Sequence, residues 1–400
     1  MLNDTQTQHC ARMLRFLEEQ IAAAGGWLSF ERYMDLALYA PGLGYYSAGA
    51  HKLGAGGDFT TAPEVSSLFG ACVARQCAEV LAALGQGSIL EIGAGSGRLA
   101  ADILSRLETL GRLPARYWIL EISADLRERQ RSHLARHLPH LLERVHWLDQ
   151  PPQEPFDGVI LANEVLDALP VARFRWSVAG TLELGVALQN GIQSGTQNAT
   201  QKALEQGRFT WEGRPADQAM ADTCRRLSVA GGGWDEGYVS EYCPRLTAWT
   251  RSVTRSLRAG AALWFDYGLP RSQYYLPERH EGTLMCHFQH RAHGDPFLYP
   301  GLQDITAWVD YTLLAEASRS AGFTLAGFTT QSFFLVGLKV DQEMQIMAGE
   351  DANQFARLAN QARQLMLPGE MGERFKAMAW LRGLELPLSG FALQDLRHSL

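Results

Sequence analysis

Three alternating glycines in this 400-residue sequence follow an apolar stretch and lead into a helical pattern. They are Gly93, Gly95 and Gly97, with Glu91 before them and Arg98 directly after. Glycines at a strand-to-helix turn let the backbone approach a ligand and leave the first N–H groups of the helix facing it. Arg98 stands where the third glycine of a dinucleotide-binding turn belongs. The turn therefore predicts a nucleotide-like ligand other than NAD or FAD.

A carboxylate ends the next predicted strand, roughly two dozen residues after the glycines, which is the usual place of a ribose-binding acid. The strand begins at Tyr117 and ends at Glu121, followed by Ile122. A carboxylate here can accept hydrogen bonds from both ribose hydroxyls. The alternative is that Glu121 only ends the strand and faces solvent. With the glycine turn upstream, we predict that Glu121 and Ile122 bind the nucleoside.

A later apolar run, starting at Val159, ends in Asn163 and Glu164, and Asp167 follows three residues on. Active crevices of parallel sheets lie at the carboxyl ends of their strands. Two carboxylates can hold a guanidinium group, which stays protonated near pH 7. Glu164 and Asp167 are therefore candidate catalytic residues, with Asn163 on the cofactor side. The alternative is that Asn163 ends the strand and Asp167 caps the next helix.

A glycine-rich segment around residues 53–64 contains Asp58 and Phe59 and precedes a predicted helix over about 64–84. Such a loop can cover a ligand bound at the sheet edge. Asp58 could meet an amine, and Phe59 could face a positive charge through a cation–π contact. The alternative is a simple connector before a capped helix.

Three histidines at a spacing of three, His287, His290 and His293, lie upstream of Asp304. Three interpretations stay open: a zinc site, structural histidines, and a loop that contacts substrate. We favour the third, with His290 and Asp304 as substrate-binding residues, and predict no metal.

Composition excludes several classes of protein. The chain is 46% hydrophobic and 20% charged with a net charge of −7, and it lacks the long basic runs of a nucleic-acid binder. No apolar stretch predicts membrane insertion, and the first residues resemble neither a signal nor a transit peptide. The six cysteines form no C-x-x-C pair. We therefore expect a cytoplasmic protein without nucleic-acid partners.

Strands near 88–93, 116–122, 145–148 and 157–163 alternate with helical sequence and predict an α/β, Rossmann-like doubly wound sheet. A fifth strand near 262–268 follows nearly a hundred residues later, so a large insertion separates strands four and five. We expect residues 323–329 and 332–338 to form a closing antiparallel pair after a helix at about 304–320. The predicted regions are a helical N-terminal part with the covering loop (1–84), the core (85–170 and 260–340), an inserted substrate-side region (171–259) and a helical C-terminal tail (341–400).

Several segments together resemble the MidA-like class I S-adenosyl-L-methionine methyltransferases, a family that includes a mitochondrial complex I assembly factor. The matching segments are Phe30–Tyr46, Gly57–Glu64, Glu91–Gly97, Asn163–Pro170, Phe265–Gly268 and Pro300–Thr306.

The resemblance implies S-adenosyl-L-methionine as cofactor, with Asp149 near the adenine amine, Asp58 near the methionine amine and Phe59 near the sulfonium. It also implies a protein substrate methylated on arginine, which in the mitochondrial member is a respiratory complex subunit. Two alternatives remain: an assembly chaperone that binds the cofactor without essential catalysis, and a small-molecule N- or O-methyltransferase.

Overall fold

The centre of the molecule is an eight-stranded, mostly parallel sheet, seen in a computed structural model that describes residues 2–48, 61–189 and 208–400. Its parallel strands are β2 (Ser88–Ile92), β3 (Tyr117–Leu120), β4 (Val145–Leu148), β5 (Phe156–Asn163) and β10 (Leu257–Leu269), joined by the short β14 (Val309–Asp310). The antiparallel strands are β15 (Thr324–Thr330) and β16 (Phe375–Arg382). The order β15-β16-β10-β5-β2-β3-β4 confirms the predicted fold class.

Both faces of this sheet are covered by helices, because successive side chains of a strand point to opposite faces. Ile89 and Leu161 pack on the face covered by α4 (Ser67–Leu84) and α5 (Arg98–Thr109). Leu90 and Ile160 pack on the other face, which is covered by α8 (Leu246–Thr254) and α10 (Tyr311–Ser320). Helix α6 (Ala124–His137) follows β3. The parallel strands are thus buried on both sides, and their carboxyl ends share one edge.

The end of the chain departs from the prediction. The segment expected to be the second strand of the closing pair is a helix, α11 (Gln331–Gly337), and the partner of β15 is β16. Helices α12 (Val340–Ala348), α13 (Ala352–Met366) and α14 (Met371–Arg374) precede β16, so the expected helical tail contains a central strand. Phe333–Val336 is a short, wholly apolar run, and such a run has no period in its sequence that separates strand from helix, which explains the error. The helix expected from residue 304 begins at Tyr311.

The inserted region contributes four strands to a second sheet. It contains β1 (Trp27–Ser29), β6 (Ala172–Arg175), β7 (Leu182–Leu188), β8 (Phe209–Pro215) and β9 (Val239–Tyr242), in the order β1-β7-β6-β9 with β8 on β7. Helix α7 (Gln218–Gly231) lies between β8 and β9. Strand β1 comes from the N-terminal region, between α1 (Asp4–Ala23) and α2 (Phe30–Tyr39). The insertion and the N-terminal helices therefore pack as one layer beside the central sheet.

Smaller elements complete the described chain. A three-stranded sheet contains β11 (Met285–Phe288), β12 (Arg291–His293) and β13 (Asp304–Thr306), and two short helices are α3 (Ala62–Val65) and α9 (Arg271–Tyr274). All six cysteines are free thiols. Within the described ranges, α4 alone has the length and composition of a membrane span, and 61% of it is buried inside the protein.

Candidate active site

A cavity of about 380 Å³ opens at the carboxyl ends of β2, β3 and β5. Its floor is the glycine turn, and its opposite wall comes from α2 and α8. The polar and aromatic side chains that line it are Asp35, Tyr39, Tyr46, Glu64, Glu91, Ser96, Glu121, Asn163, Glu164, Arg245 and Trp249. The cavity lies where a doubly wound sheet binds its ligands.

The glycine turn has the backbone that only glycine adopts without strain. Gly93, Gly95 and Gly97 have φ angles of 67°, 53° and 85°, and Gly97 precedes the first residue of α5. A Cβ at Gly93 would lie 2.9 Å from the Val165 side chain, and one at Gly97 would lie 3.1 Å from the Cα atom of Gln130. Gly93 and Gly95 line the cavity, whereas Gly97 supports the turn from behind.

Glu121 lies directly after β3 with its side chain buried at the cavity wall. Its carboxylate accepts hydrogen bonds from the Ser123 N–H at 2.9 Å and from Gln130 Nε2 at 3.1 Å. Burial raises the pKa of Glu121, and these hydrogen bonds oppose the rise. Gln130 also donates to the Gly95 carbonyl at 3.0 Å, so it joins the carboxylate to the glycine turn. This role of Gln130 was not predictable from the sequence, because the contact with Gly95 spans 35 residues.

Ile122 is an apolar side chain left 62% exposed at the cavity. An exposed isoleucine beside a buried carboxylate offers an apolar surface for a flat ring next to a hydrogen-bond acceptor for hydroxyls. Binding of a nucleoside by Glu121 and Ile122 stays a prediction.

We expect the Glu121→Ala variant to bind S-adenosyl-L-methionine at least about tenfold more weakly, because hydrogen bonds to a charged group contribute roughly 1.5 to 3 kcal/mol each. Isothermal calorimetry measures the loss. Glu128→Ala, which removes an exposed carboxylate from the same helix α6 region, is the matched control and should bind normally. A loss below about twofold would place Glu121 outside the binding site.

Asn163 ends β5, Glu164 directly follows it, and both residues line the cavity. Glu164 has a φ of 53°, a backbone that non-glycine residues seldom adopt. Its Oε1 accepts from Asn163 Nδ2 at 3.1 Å and from the Ala62 N–H at 3.3 Å. Burial, and then the neighbouring Asp167, raise the pKa of Glu164 to about 8. In the described part of the chain no basic side chain forms an ion pair with this carboxyl group, which is therefore available to a cationic ligand.

Asp167 and Asp304 are buried behind the cavity and are absent from its described lining. The Tyr267 hydroxyl hydrogen-bonds to the Asp167 carboxyl group, whose pKa burial raises to about 6. Asp304 accepts a hydrogen bond from the Tyr46 hydroxyl at 3.0 Å. Tyr46 stacks on Tyr39 with 5.5 Å between ring centroids. Direct contact with substrate was predicted for both acids. The structure instead places Asp304 behind Tyr46, which lines the cavity, and Asp167 against Tyr267, which does not.

The remaining predicted site residues lie elsewhere. His290 is exposed in the turn between β11 and β12, away from the described cavity lining. Asp149 is exposed, one residue after β4, and does not line the cavity either. Asp58 and Phe59 lie outside the described residues. Within residues 2–48, 61–189 and 208–400, no group of three potential ligands could hold a metal ion.

Two features of the cavity were missed by the sequence analysis. Asp35 forms an ion pair with Arg245 at 2.9 Å at the mouth, and Trp249 follows one helical turn later on α8. The Glu64 carboxylate accepts a hydrogen bond from the Ser96 hydroxyl in the glycine turn. Both features join segments distant in the sequence, although the spacing of Arg245 and Trp249 placed them on one helical face.

Comparisons with known proteins agree with this geometry. Residues 72–329 match the family model described as an S-adenosyl-L-methionine-dependent methyltransferase. A solved structure from Burkholderia thailandensis, bound to S-adenosyl-homocysteine, is 40% identical, with a TM-score of 0.91 over 100% of this chain and 99% of that one.

Two curated relatives are the mitochondrial protein arginine methyltransferases NDUFAF7 of Danio rerio and Homo sapiens. The Danio rerio protein is 28% identical over 94% of this chain and 88% of its own length. The human protein is 27% identical over 92% and 83%, respectively.

Proposed function

We propose, on the premise that this chain belongs to the S-adenosyl-L-methionine-dependent methyltransferase family, that it transfers the methyl group to an arginine side chain of a protein. The single observation that carries the choice of arginine is the Glu164 carboxyl group, which lines the cavity and forms no ion pair with a basic side chain of residues 2–48, 61–189 and 208–400. Curated relatives named as protein arginine methyltransferases support the same choice.

The cavity residues fit the cofactor. The glycine turn offers backbone N–H groups, Glu121 offers a carboxylate to ribose hydroxyls, and Ile122 offers an apolar surface. S-adenosyl-L-methionine supplies an activated methyl group on a positively charged sulfur. Carboxylates dominate the charged groups of the lining, which favours a cofactor and an acceptor that both carry positive charge.

Glu164 is suited to hold a guanidinium group and to take its proton. When a guanidinium nitrogen accepts a methyl group, the carbon–sulfur electron pair stays on sulfur and one N–H proton leaves the nitrogen. An ionised Glu164 would orient that nitrogen and accept the proton. Arginine cannot lose its proton easily in solution, so a buried carboxylate with a raised pKa answers a specific need of this acceptor.

The aromatic side chains of Tyr39, Tyr46 and Trp249 line the same cavity. Aromatic faces attract guanidinium groups, so this wall could guide an arginine side chain toward Glu164. A cytoplasmic location and a respiratory complex subunit as substrate remain predictions.

The experiment that tests the proposal compares methyl-arginine peptides by mass spectrometry in cells with and without this protein. Some peptides should be methylated only in cells that contain this protein. The same peptides should become methylated when purified protein and labelled S-adenosyl-L-methionine are added to an extract of the cells that lack it. Label on small molecules alone would favour a small-molecule methyltransferase. A rescued phenotype without any methylation would favour the assembly chaperone.

We expect kcat/KM for the protein acceptor to rise with pH, because only ionised Glu164 can hold a guanidinium group and its pKa is about 8 in the free protein. For a single ionisation near 8, the rise from pH 6 to pH 8 is roughly fifty-fold, followed by a plateau. A bound guanidinium group favours the charged form of Glu164 and so lowers its pKa in the complex. The rise in kcat should therefore occur at lower pH than the rise in kcat/KM. Initial rates over pH 6 to 9 measure both; a flat profile in a folded protein would contradict the role of Glu164.

A further inference from the structure

The loop that carries Glu164 is bound to the end of β10 by the side chain of Asp266. One carboxylate oxygen of Asp266 accepts hydrogen bonds from the consecutive backbone N–H groups of residues 165–167, at 3.2, 2.9 and 3.2 Å. The other oxygen accepts from the N–H of Tyr267 at 2.9 Å. A single buried carboxylate thus satisfies four backbone donors, three of which belong to the loop.

Glu164 itself is held from the same strand end. Its N–H donates to the Phe265 carbonyl at 2.9 Å, and its φ of 53° places it in the left-handed region. A non-glycine residue keeps such a backbone only where its surroundings enforce it, and such residues cluster at functional sites. The hydrogen bonds from β10 on both sides of Glu164 provide that enforcement.

Asp266 does not face the cavity. It is fully buried and absent from the described lining, and the Tyr311 hydroxyl donates to its carbonyl at 2.8 Å. The next residue, Tyr267, hydrogen-bonds through its hydroxyl to the Asp167 carboxyl group, on the same loop. Two successive side chains of β10 therefore hydrogen-bond to the loop, and neither lines the cavity in which a ligand would bind.

We propose that Asp266, assisted by Tyr267, is a positioning residue for methyl transfer, fixing the 164–167 loop so that the Glu164 carboxylate faces the acceptor. This inference rests on the proposed function, because it assigns Asp266 an effect that passes through Glu164. The two carboxylates are neighbours only because β10 pairs with β5, in register Phe265 with Asn163.

A double-mutant cycle tests the proposal. The Asp266→Asn substitution keeps the shape of the side chain but replaces one of its two acceptor oxygens by an NH2 group, which cannot accept a hydrogen bond from a backbone N–H. We measure tritium transfer from labelled S-adenosyl-L-methionine to proteins of an extract from cells lacking this protein. Asp266→Asn should lower the initial rate at least about tenfold while S-adenosyl-homocysteine affinity stays within about twofold. In the Glu164→Gln background the same change should lower the residual rate by less than about twofold.

Equal losses in both backgrounds, or a parallel loss of S-adenosyl-homocysteine affinity, would overturn the proposal. If Asp266→Asn does not fold, the cycle is repeated with Tyr267→Phe, which removes only a hydroxyl group. Tyr267→Phe should also lower the rate less in the Glu164→Gln background than in the unmodified protein. Asp310→Asn, a buried helix-capping aspartate outside the cavity, is the control that should keep the rate. Failure of the proposed function can be told apart from failure of the Asp266 proposal. In that case Glu164→Gln would leave the rate unchanged, or the tritium label would be found on groups other than arginine.

Discussion

The Glu164→Gln variant is expected to transfer methyl groups at least about a hundredfold more slowly while binding S-adenosyl-L-methionine within about twofold of the unmodified protein. Glutamine keeps the size and one hydrogen-bond acceptor of the side chain. It cannot carry the negative charge that pairs with a guanidinium or accept the proton that leaves during methylation. Because this interaction acts on the acceptor, the rate and the cofactor affinity should separate. Initial rates with labelled cofactor and calorimetry measure the two quantities.

Glu241→Gln is a matched control, since Glu241 is a buried glutamate that belongs to the second sheet and does not line the described cavity. Its carboxylate accepts hydrogen bonds from Tyr274 and Thr283, which an amide oxygen can also accept. If Glu164→Gln weakened cofactor binding in proportion to the rate, Glu164 would be a cofactor ligand. If both quantities were unchanged, an acceptor that needs no carboxylate would be the better hypothesis.

The Gly95→Val variant is expected to lose S-adenosyl-L-methionine binding, by at least about a hundredfold in affinity, while the protein remains folded. Gly95 lines the cavity with a φ of 53°, and a branched side chain there would fill the space beside the turn. Valine is also strained in the left-handed region. Calorimetry with S-adenosyl-homocysteine measures binding, and thermal unfolding measures the strain.

Gly111→Val separates these two causes. Gly111 has a similar φ of 63°, and a Cβ there would meet nothing within 4 Å. Both variants bear a backbone strain of roughly 1 to 3 kcal/mol, but only Gly95→Val blocks the cavity. Unchanged affinity in Gly95→Val would mean that the cofactor binds elsewhere.

The parts of the site that the sequence predicted best lie within single continuous segments. The glycine turn joins β2 directly to α5, and Glu121 directly follows β3. Local backbone requirements determine such features: a positive φ needs glycine, and a strand in a parallel sheet ends at the ligand-binding edge. The fold class was predictable for the same reason, because the alternation of strands and helices is a local pattern.

Contacts between distant segments were not predictable in this way. The sequence placed Asp167 beside the acceptor, yet its side chain is buried behind Glu164, because Tyr267 and Asp266 of β10 hold the loop from that side. It likewise missed Gln130 and Tyr46, whose contacts to the site span 35 and 258 residues, respectively.

The sequence by itself determined that this chain forms a doubly wound sheet with a nucleoside-binding turn and a carboxylate at the end of β5. Only the tertiary structure decided which carboxylate faces the cavity, and that β16 lies between β10 and β15. The physical reason is that periodicity and backbone preference act along the chain. By contrast, burial, strand order and the field of neighbouring charges depend on which distant segments pack together.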